Sequence, residues 1–237
     1  MRKITIFCFL ILSVASYSQI KIGVSAGVGI SNRINDEARN AEQAVVANNS
    51  EIGSLLGVDI NVPLNKRWFV SSGVELKTLS FSEKLDVENF NLINSDFEFS
   101  CVPAELPAEG IAPIKHKFGF VQIPVMVNYV FANCEDCGWQ WSLGVGPTID
   151  FSLNHKVKSP VFYKEEFVKA DCLERQSVVF GLQAEIGGQY GIGEKSTFGL
   201  SLFYDQQLQS VYDNSLNYNL GWFGLKASYY FAFSAFK

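Results

Sequence analysis

Apolar and polar residues alternate with a period of two along eight stretches of the chain. In the stretch from Phe118 to Phe131, every second residue from Gly119 onward is apolar except that glycine. A period of two indicates a β-strand whose two sides meet different surroundings. A strand of this length is long for a globular sheet, but it suits a bilayer crossing at a tilt.

The eight predicted strands are Ile20–Ile30, Ser54–Leu64, Trp68–Leu79, Phe118–Phe131, Trp139–Phe151, Val178–Tyr190, Ser196–Gln206 and Leu220–Phe233. The connections after the odd strands are long and those after the even strands are short. Long extracellular loops with short periplasmic turns are typical of outer-membrane barrels. We therefore predict an all-β fold, an eight-stranded antiparallel up-and-down transmembrane β-barrel.

The second face of these strands consists mostly of Gly, Ser, Gln and Asn. Such a face is too small and too weakly charged for a solvated exterior, so it is expected to line a narrow lumen. The alternative is a soluble lipocalin-like barrel with the two faces exchanged, carrying a hydrophobic ligand. Pro124 removes a ladder hydrogen bond, and a local bulge or break is expected there.

The first residues predict export. Arg2 and Lys3 precede an apolar run, Ile4–Val14, and small residues follow at the spacing of a cleavage site. We expect a signal peptide over 1–18 and a barrel domain over 19–237, located in the outer membrane. The net charge of -5 argues against a nucleic-acid partner.

Three strands carry a family resemblance. Val121–Tyr129, with its Ile-Pro step, resembles a strand of the PorT-like small outer-membrane barrels of Bacteroidota. The glycine-rich first strand and the aromatic last strand are similar too. This resemblance implies a small outer-membrane barrel, with a secretion-associated role as one alternative. The final segment, Tyr229–Lys237, resembles the aromatic signal recognised by the barrel-assembly machinery, which implies that machinery as a partner.

Charges of both signs fall on the predicted inner face. They are Lys21, Asp59, Glu75, Lys77, Asp150, Glu185, Asp205 and Lys226. An unpaired charge in a narrow lumen is costly, so we expect these residues to pair in a network that plugs the barrel. A charged pore lining or a proton path is the alternative.

Four cysteines remain after the predicted leader, and an even number in an exported protein indicates disulfides. Cys134 and Cys137 are expected to form a local staple in a periplasmic turn. Cys101 and Cys172 are candidates for a cross-link between two long loops. The C-x-x-C pair lacks a second pair for zinc, so no metal site is predicted.

A basic group is predicted at the outer rim. It consists of Lys115, His116, Lys117, His155, Lys156 and Lys158. The favoured interpretation is a collar that faces lipopolysaccharide phosphates. A lipid-modifying rim enzyme that uses a histidine with Ser152 or Ser159 is the alternative, but no spacing defines a catalytic pair.

These observations predict a protein of structural or surface-interaction type, with loops 80–117 and 152–176 as its binding surface. Outer-membrane lipid, lipopolysaccharide and a surface ligand or protein are the expected partners. No enzyme activity and no cofactor are predicted. A small porin or transporter and the soluble carrier remain as alternatives.

Overall fold

The structure, a computed structural model, describes residues 20–34, 45–86, 110–134, 137–158, 168–169, 175–193, 195–212 and 219–233. The strands in this part of the chain are β1 (Ile20–Arg33), β2 (Val45–Pro63), β3 (Trp68–Asp86), β4 (Ile111–Cys134), β5 (Trp139–Lys158), β6 (Val168–Lys169), β7 (Val178–Ile192), β8 (Ser196–Gln207) and β9 (Leu220–Phe233). The predicted signal peptide lies outside the described residues.

The strands close into a barrel. Neighbours pair in the order β4-β3-β2-β1-β9-β8-β7-β5, and β4 also pairs with β5, which completes the ring. All of these pairings are antiparallel, so the predicted eight-stranded barrel is confirmed. The two-residue β6 adds to β5 at Lys156 and Val157. No helix in the described ranges is long and apolar enough to span a membrane.

Apolar side chains cover the outside of the barrel. On β1, Val24 and Val28 are 57% and 60% exposed, whereas Ser25 between them is buried. On β4 the outward apolar residues run from Val121 to Phe131, a distance of about 25 Å along the barrel axis at the usual strand rise and tilt. This height matches the lipid-facing band of an outer-membrane barrel. The lipocalin-like alternative is therefore wrong, because it needs the apolar face inside.

Four neighbouring strands are much longer than a bilayer requires. β2, β3, β4 and β5 contain 19, 19, 24 and 20 residues, against the roughly 9–11 that cross a membrane. The short turns lie at one end of the barrel, so the extra length rises at the outer end as a wall. The predicted loops 80–117 and 152–176 need correction: β3 continues to Asp86, β4 begins at Ile111, and β5 continues to Lys158.

The polarity of the two strand faces inverts within this wall. On β3, Leu79 and Phe81 are buried inside the barrel, while the intervening Ser80 lies on the outer side. On β4, Phe118 is buried and Lys117 is exposed. Apolar residues thus point inward where the wall stands in water, and outward where the barrel meets lipid. The strands were predicted too short because the polar outer side resembles a loop.

A β-bulge on β5 changes which side chains point inward. Gly119 pairs with Asn154, but Phe120 pairs with Ser152, so Leu153 has no partner across the ladder. The extra residue shifts the alternation by one position beyond it. His155 points into the barrel as a result, although strict alternation along the strand would point it outward.

Pro124 interrupts the ladder without changing its register. On the β3 side, pairing passes from Gln122 directly to Val125 with the register unchanged. On the β5 side, pairing passes from Pro124 to Val127 in the same way. The carbonyl of Pro124 accepts a hydrogen bond of 2.8 Å from Oγ of Ser72. The expected break at Pro124 is therefore present as missing ladder pairs. The register shifts described between β4 and β5 lie at Gly119/Phe120 and Val130/Ala132 and not at Pro124.

Candidate functional site

The lumen contains three layers of side chains, and the layer nearest the periplasmic turns is ionic. Nζ of Lys226 lies 2.7 Å from Oε2 of Glu185 and 3.8 Å from Oε1 of Glu75. Asp59 is buried on the neighbouring wall of the same layer. Three carboxylates therefore share this level with one ammonium group.

A small cavity lies within this inner layer. Its volume is about 30 Å³, and its lining includes Asp59, Glu75, Gln183 and Lys226. Such a space holds about two water molecules. Polar groups line it on several sides, so it is suited to water.

The middle layer is centred on Lys77, whose side chain is fully buried. Its Nζ lies 2.8 Å from Oδ2 of Asp150 and 2.7 Å from Oδ2 of Asp205. The amide of Gln122 donates to Asp205 at 2.7 Å, and that of Gln207 donates to Asp150 at 2.9 Å. Each charge in this trio has a partner of opposite sign, as a buried charge requires.

The outer layer is aromatic and apolar, and we call it the outer plug. Its members are Leu55, Leu79, Phe81, Phe118, Phe120, Phe203, Val211, Tyr212, Leu220 and Trp222. Val211 and Tyr212 belong to the connection between β8 and β9, and the ring of Tyr212 meets that of Phe118 edge-on. On β3 and β4, its members Leu79, Phe81 and Phe118 lie further outward than Lys77 and Gln122 of the middle layer, so apolar side chains fill the lumen on the outer side of the ionic layers.

The two histidines pack within the outer plug. Nδ1 of His116 lies 3.1 Å from Nε2 of His155, and Nδ1 of His155 lies 3.0 Å from the hydroxyl of Tyr212. The ring of His155 stacks on Phe118 at 4.1 Å between centroids. Both histidines are nearly inaccessible, at 8% and 2% exposure. The predicted collar is therefore corrected: its histidines point inward and face neither water nor lipopolysaccharide.

An ion pair lies beside the histidines. Nη1 of Arg33 is 2.9 Å from Oε1 of Glu83, and Oε2 of Glu83 is 3.7 Å from Nε2 of His116. Arg33 and Glu83 were absent from the predicted network. Continuing the inward parity of β1 and β3 for a few more residues would have found both.

The remaining collar residues, four lysines, lie on the outer wall. Lys115, Lys117 and Lys156 are exposed, and Lys158 is half-buried. Lys115 forms an ion pair of 2.9 Å with Glu51. Their arrangement differs from a collar, because all four belong to β4 and β5 on one side of the barrel.

The eight residues of the predicted lumen network lie on the inner face in separate groups. Seven belong to the two ionic layers, and the eighth, Lys21, donates to Oε1 of Gln189 at 3.4 Å nearer the periplasmic mouth. The structure adds Gln122 and Gln207 to the middle layer. Both lie at inward positions of the strand alternation, so the same pattern predicts them in the lumen although they carry no charge.

The turn between β4 and β5 brings the two cysteines of the C-x-x-C pair together. Sγ of Cys134 lies within bonding distance of Sγ of Cys137, and the local staple stays a prediction. Cys101 and Cys172 lie outside the described residues. Among the residues that are described, no group of three or more His, Cys, Asp or Glu side chains is arranged to hold a metal ion.

A comparison with known protein families agrees with this barrel architecture. The chain matches the family "Outer membrane protein beta-barrel domain" over residues 14–237. The chain belongs to this family. It is therefore an outer-membrane β-barrel protein, and its outward apolar band contacts membrane lipid.

Several solved structures resemble this barrel. Neisserial surface protein A is 12% identical, with a TM-score of 0.47 over 90% of this chain and 97% of that one. OprG from Pseudomonas aeruginosa is 14% identical, with a TM-score of 0.43 over 94% and 99%. Ail of Yersinia pestis, solved with the heparin analogue sucrose octasulfate, is 13% identical, with a TM-score of 0.36 over 90% and 100%. No curated protein sequence matches the chain.

Proposed function

We propose that the protein is a non-conducting barrel of structural and surface-interaction type, whose specific contacts are made at its outer end. The observation that carries this proposal is the filled lumen. Ion pairs occupy it at two levels, and Leu79, Phe81 and Phe118 of the outer plug lie further outward on β3 and β4. A porin of eight strands would need an open path through all three layers, and the inner cavity holds only about two waters.

The wall formed by β2–β5 supports an outward role. It extends the barrel beyond the lipid band and leads into the connections 87–110 and 159–177, which we propose as the binding surface for a ligand or protein partner. Connections that a rigid scaffold holds in place commonly carry binding functions. The proposal includes no catalytic role, because His116 and His155 are enclosed by aromatic rings and do not reach lipid.

Three further expectations belong to this proposal. A leader over 1–18 directs export, and the barrel-assembly machinery inserts the chain through its aromatic last strand. Membership of the PorT-like group is supported by the Ile-Pro step, at which the β4 ladder is interrupted. A secretion-associated role depends on that resemblance alone.

Conductance measurements test the proposal. The refolded protein is reconstituted into planar bilayers, with a general porin as the positive control and protease resistance as evidence of insertion. We expect no channel steps from the inserted protein. Stable channel steps, or uptake of small sugars into proteoliposomes, would show that the lumen opens and would favour the porin alternative.

A further inference from the structure

Four lysines face one another on the outer wall of the barrel. Lys115 of β4 pairs directly with Lys158 of β5, and Lys117 pairs with Lys156 two residues nearer the membrane. Directly opposed residues of an antiparallel ladder have their Cβ atoms about 5 Å apart. Two successive like-charged pairs therefore concentrate positive charge within a small area, and we call these four residues the lysine ladder. The backbone register places a further lysine, Lys169 of β6, opposite Lys156 on its other side.

Within the described residues, the lower pair of the lysine ladder, Lys117 and Lys156, has no acidic partner. Lys115 contacts Glu51, yet its side chain is still 50% exposed. Lys117 and Lys156 are exposed, and the described part of the chain places no acidic side chain within ion-pair distance of either. The residue paired with Lys117 on β3 is the neutral Ser80. Like charges opposite each other destabilise a sheet, so an anion from outside the barrel would relieve the repulsion.

The height of the lysine ladder indicates the source of that anion. The exposed side chain of Leu153 marks the upper edge of the lipid-facing band on β5. Lys156 follows three residues later, about 8 Å higher at the usual strand rise and tilt. The headgroup layer above the hydrocarbon is about 5–7 Å thick, and lysine stems bend so that their ammonium groups lie at this level. The phosphates of the outer leaflet lie at this level.

We propose that the lysine ladder binds the phosphates of lipopolysaccharide in the outer leaflet. Its lower pair, Lys117 and Lys156, makes the contact. The position of the lysine ladder at the edge of the lipid band favours a lipid headgroup as the ligand. A soluble polyanion is less favoured, because the protein has a net charge of -5 and the rest of its surface would repel a polyanion. The inference does not depend on whether the lumen conducts.

The experiment measures binding of bisphosphorylated lipid A to the purified, folded barrel in neutral detergent micelles. The test variant is Lys117→Gln/Lys156→Gln, and the matched control is Lys66→Gln/Lys195→Gln, which removes two exposed lysines from turns at the opposite end. Each lysine near an anionic surface contributes roughly fivefold in affinity, so the test variant is expected to bind about 25-fold more weakly. The control is expected to bind like the unaltered protein.

Two further binding measurements test which chemical group the lysine ladder recognises. Monophosphorylated lipid A is expected to bind more weakly than the bisphosphorylated form, and inorganic phosphate at equal phosphate concentration is expected not to compete. If both double variants lose binding equally, the loss reflects the change in net charge and not the position of the lysines, and the proposal is overturned. Unchanged binding in the test variant, equal affinity for the two lipids, or full competition by inorganic phosphate would overturn it as well. Gel mobility with and without boiling confirms that every variant is folded.

Discussion

Nζ of Lys77 lies 2.7 Å from Oδ2 of Asp205, although their strands stand on opposite sides of the barrel. In the closed ring, β8 is the fourth strand from β3 in either direction. This ion pair therefore crosses the full width of the lumen, and the second partner, Asp150, approaches Lys77 from β5 at 2.8 Å. These ion pairs join strands that are not hydrogen-bonded neighbours.

Replacing Lys77 by Met is expected to destabilise the barrel strongly. The substitution leaves the carboxylates of Asp150 and Asp205 buried without their counter-charge. Breaking a buried ion pair on one side typically costs about 3–5 kcal/mol. The measurement is the urea concentration at which the folded form disappears from a gel of unboiled samples.

The triple variant Lys77→Met/Asp150→Asn/Asp205→Asn provides the control. It removes all three charges while keeping similar volumes, and it is expected to recover most of the lost stability. Lys66→Met, in an exposed turn, is expected to change little. If the single variant Lys77→Met is as stable as the unaltered protein, the ion pairs of Lys77 with Asp150 and Asp205 do not stabilise the barrel.

Chemical modification separates a buried histidine pair from a surface collar. The chain contains two histidines, and both are nearly inaccessible. In the folded barrel we expect diethyl pyrocarbonate to modify His116 and His155 far more slowly than a free imidazole, and unfolding in urea to restore the full rate. Tyr212→Ala opens the cover over His155 and is expected to raise its rate selectively. Fast modification in the folded state would mean that both side chains face solvent at the rim.

The alternation of apolar and polar residues predicted most of the membrane-spanning barrel, because outward side chains meet lipid and inward side chains meet the polar lumen. The same rule failed beyond Lys77, where water replaces lipid outside and the inner face turns apolar at Leu79 and Phe81. A period-two pattern persists there, but with its polarity reversed. Continued alternation, without regard to which face is apolar, would have extended β3 into the predicted loop.

Alternation alone could not predict the contact between His116 and His155. The bulge at Leu153 reverses the orientation of the residues that follow on β5, so His155 points inward. A bulge depends on how two strands register in space, and no residue near Leu153 signals it by type. The contacts across the lumen were equally hidden, since Lys77 and Asp205 lie far apart in sequence and meet only because the ring closes.

Peptide mapping under non-reducing conditions tests the disulfide in the β4–β5 turn. We expect Cys134 and Cys137 to be linked to each other within one peptide. The variant Cys134→Ser/Cys137→Ser is expected to keep the heat-modifiable barrel, because the closed loop is short and the β4–β5 ladder holds the turn ends together. Its loss of stability should stay below about 2 kcal/mol. A link from either residue to Cys101 or Cys172 would contradict the local staple.

Gly29 makes room for Trp222 inside the barrel. A Cβ atom at position 29 would lie against Nε1 of the Trp222 indole and the backbone of β9. Gly29→Ala is therefore expected to destabilise the barrel by about 1–3 kcal/mol, as overpacking in a close-packed core does. Gly191→Ala is the matched control, because a Cβ atom there meets nothing within 4 Å.

The double variant Gly29→Ala/Trp222→Phe tests the cause. Removing the indole nitrogen relieves the contact with the side chain but not the contact with the β9 backbone, so partial recovery is expected. Urea midpoints of the gel mobility shift give the comparison among the unaltered protein and the three variants. If Gly29→Ala unfolds at the same urea concentration as Gly191→Ala, the close approach of Trp222 to β1 is not part of the folded barrel.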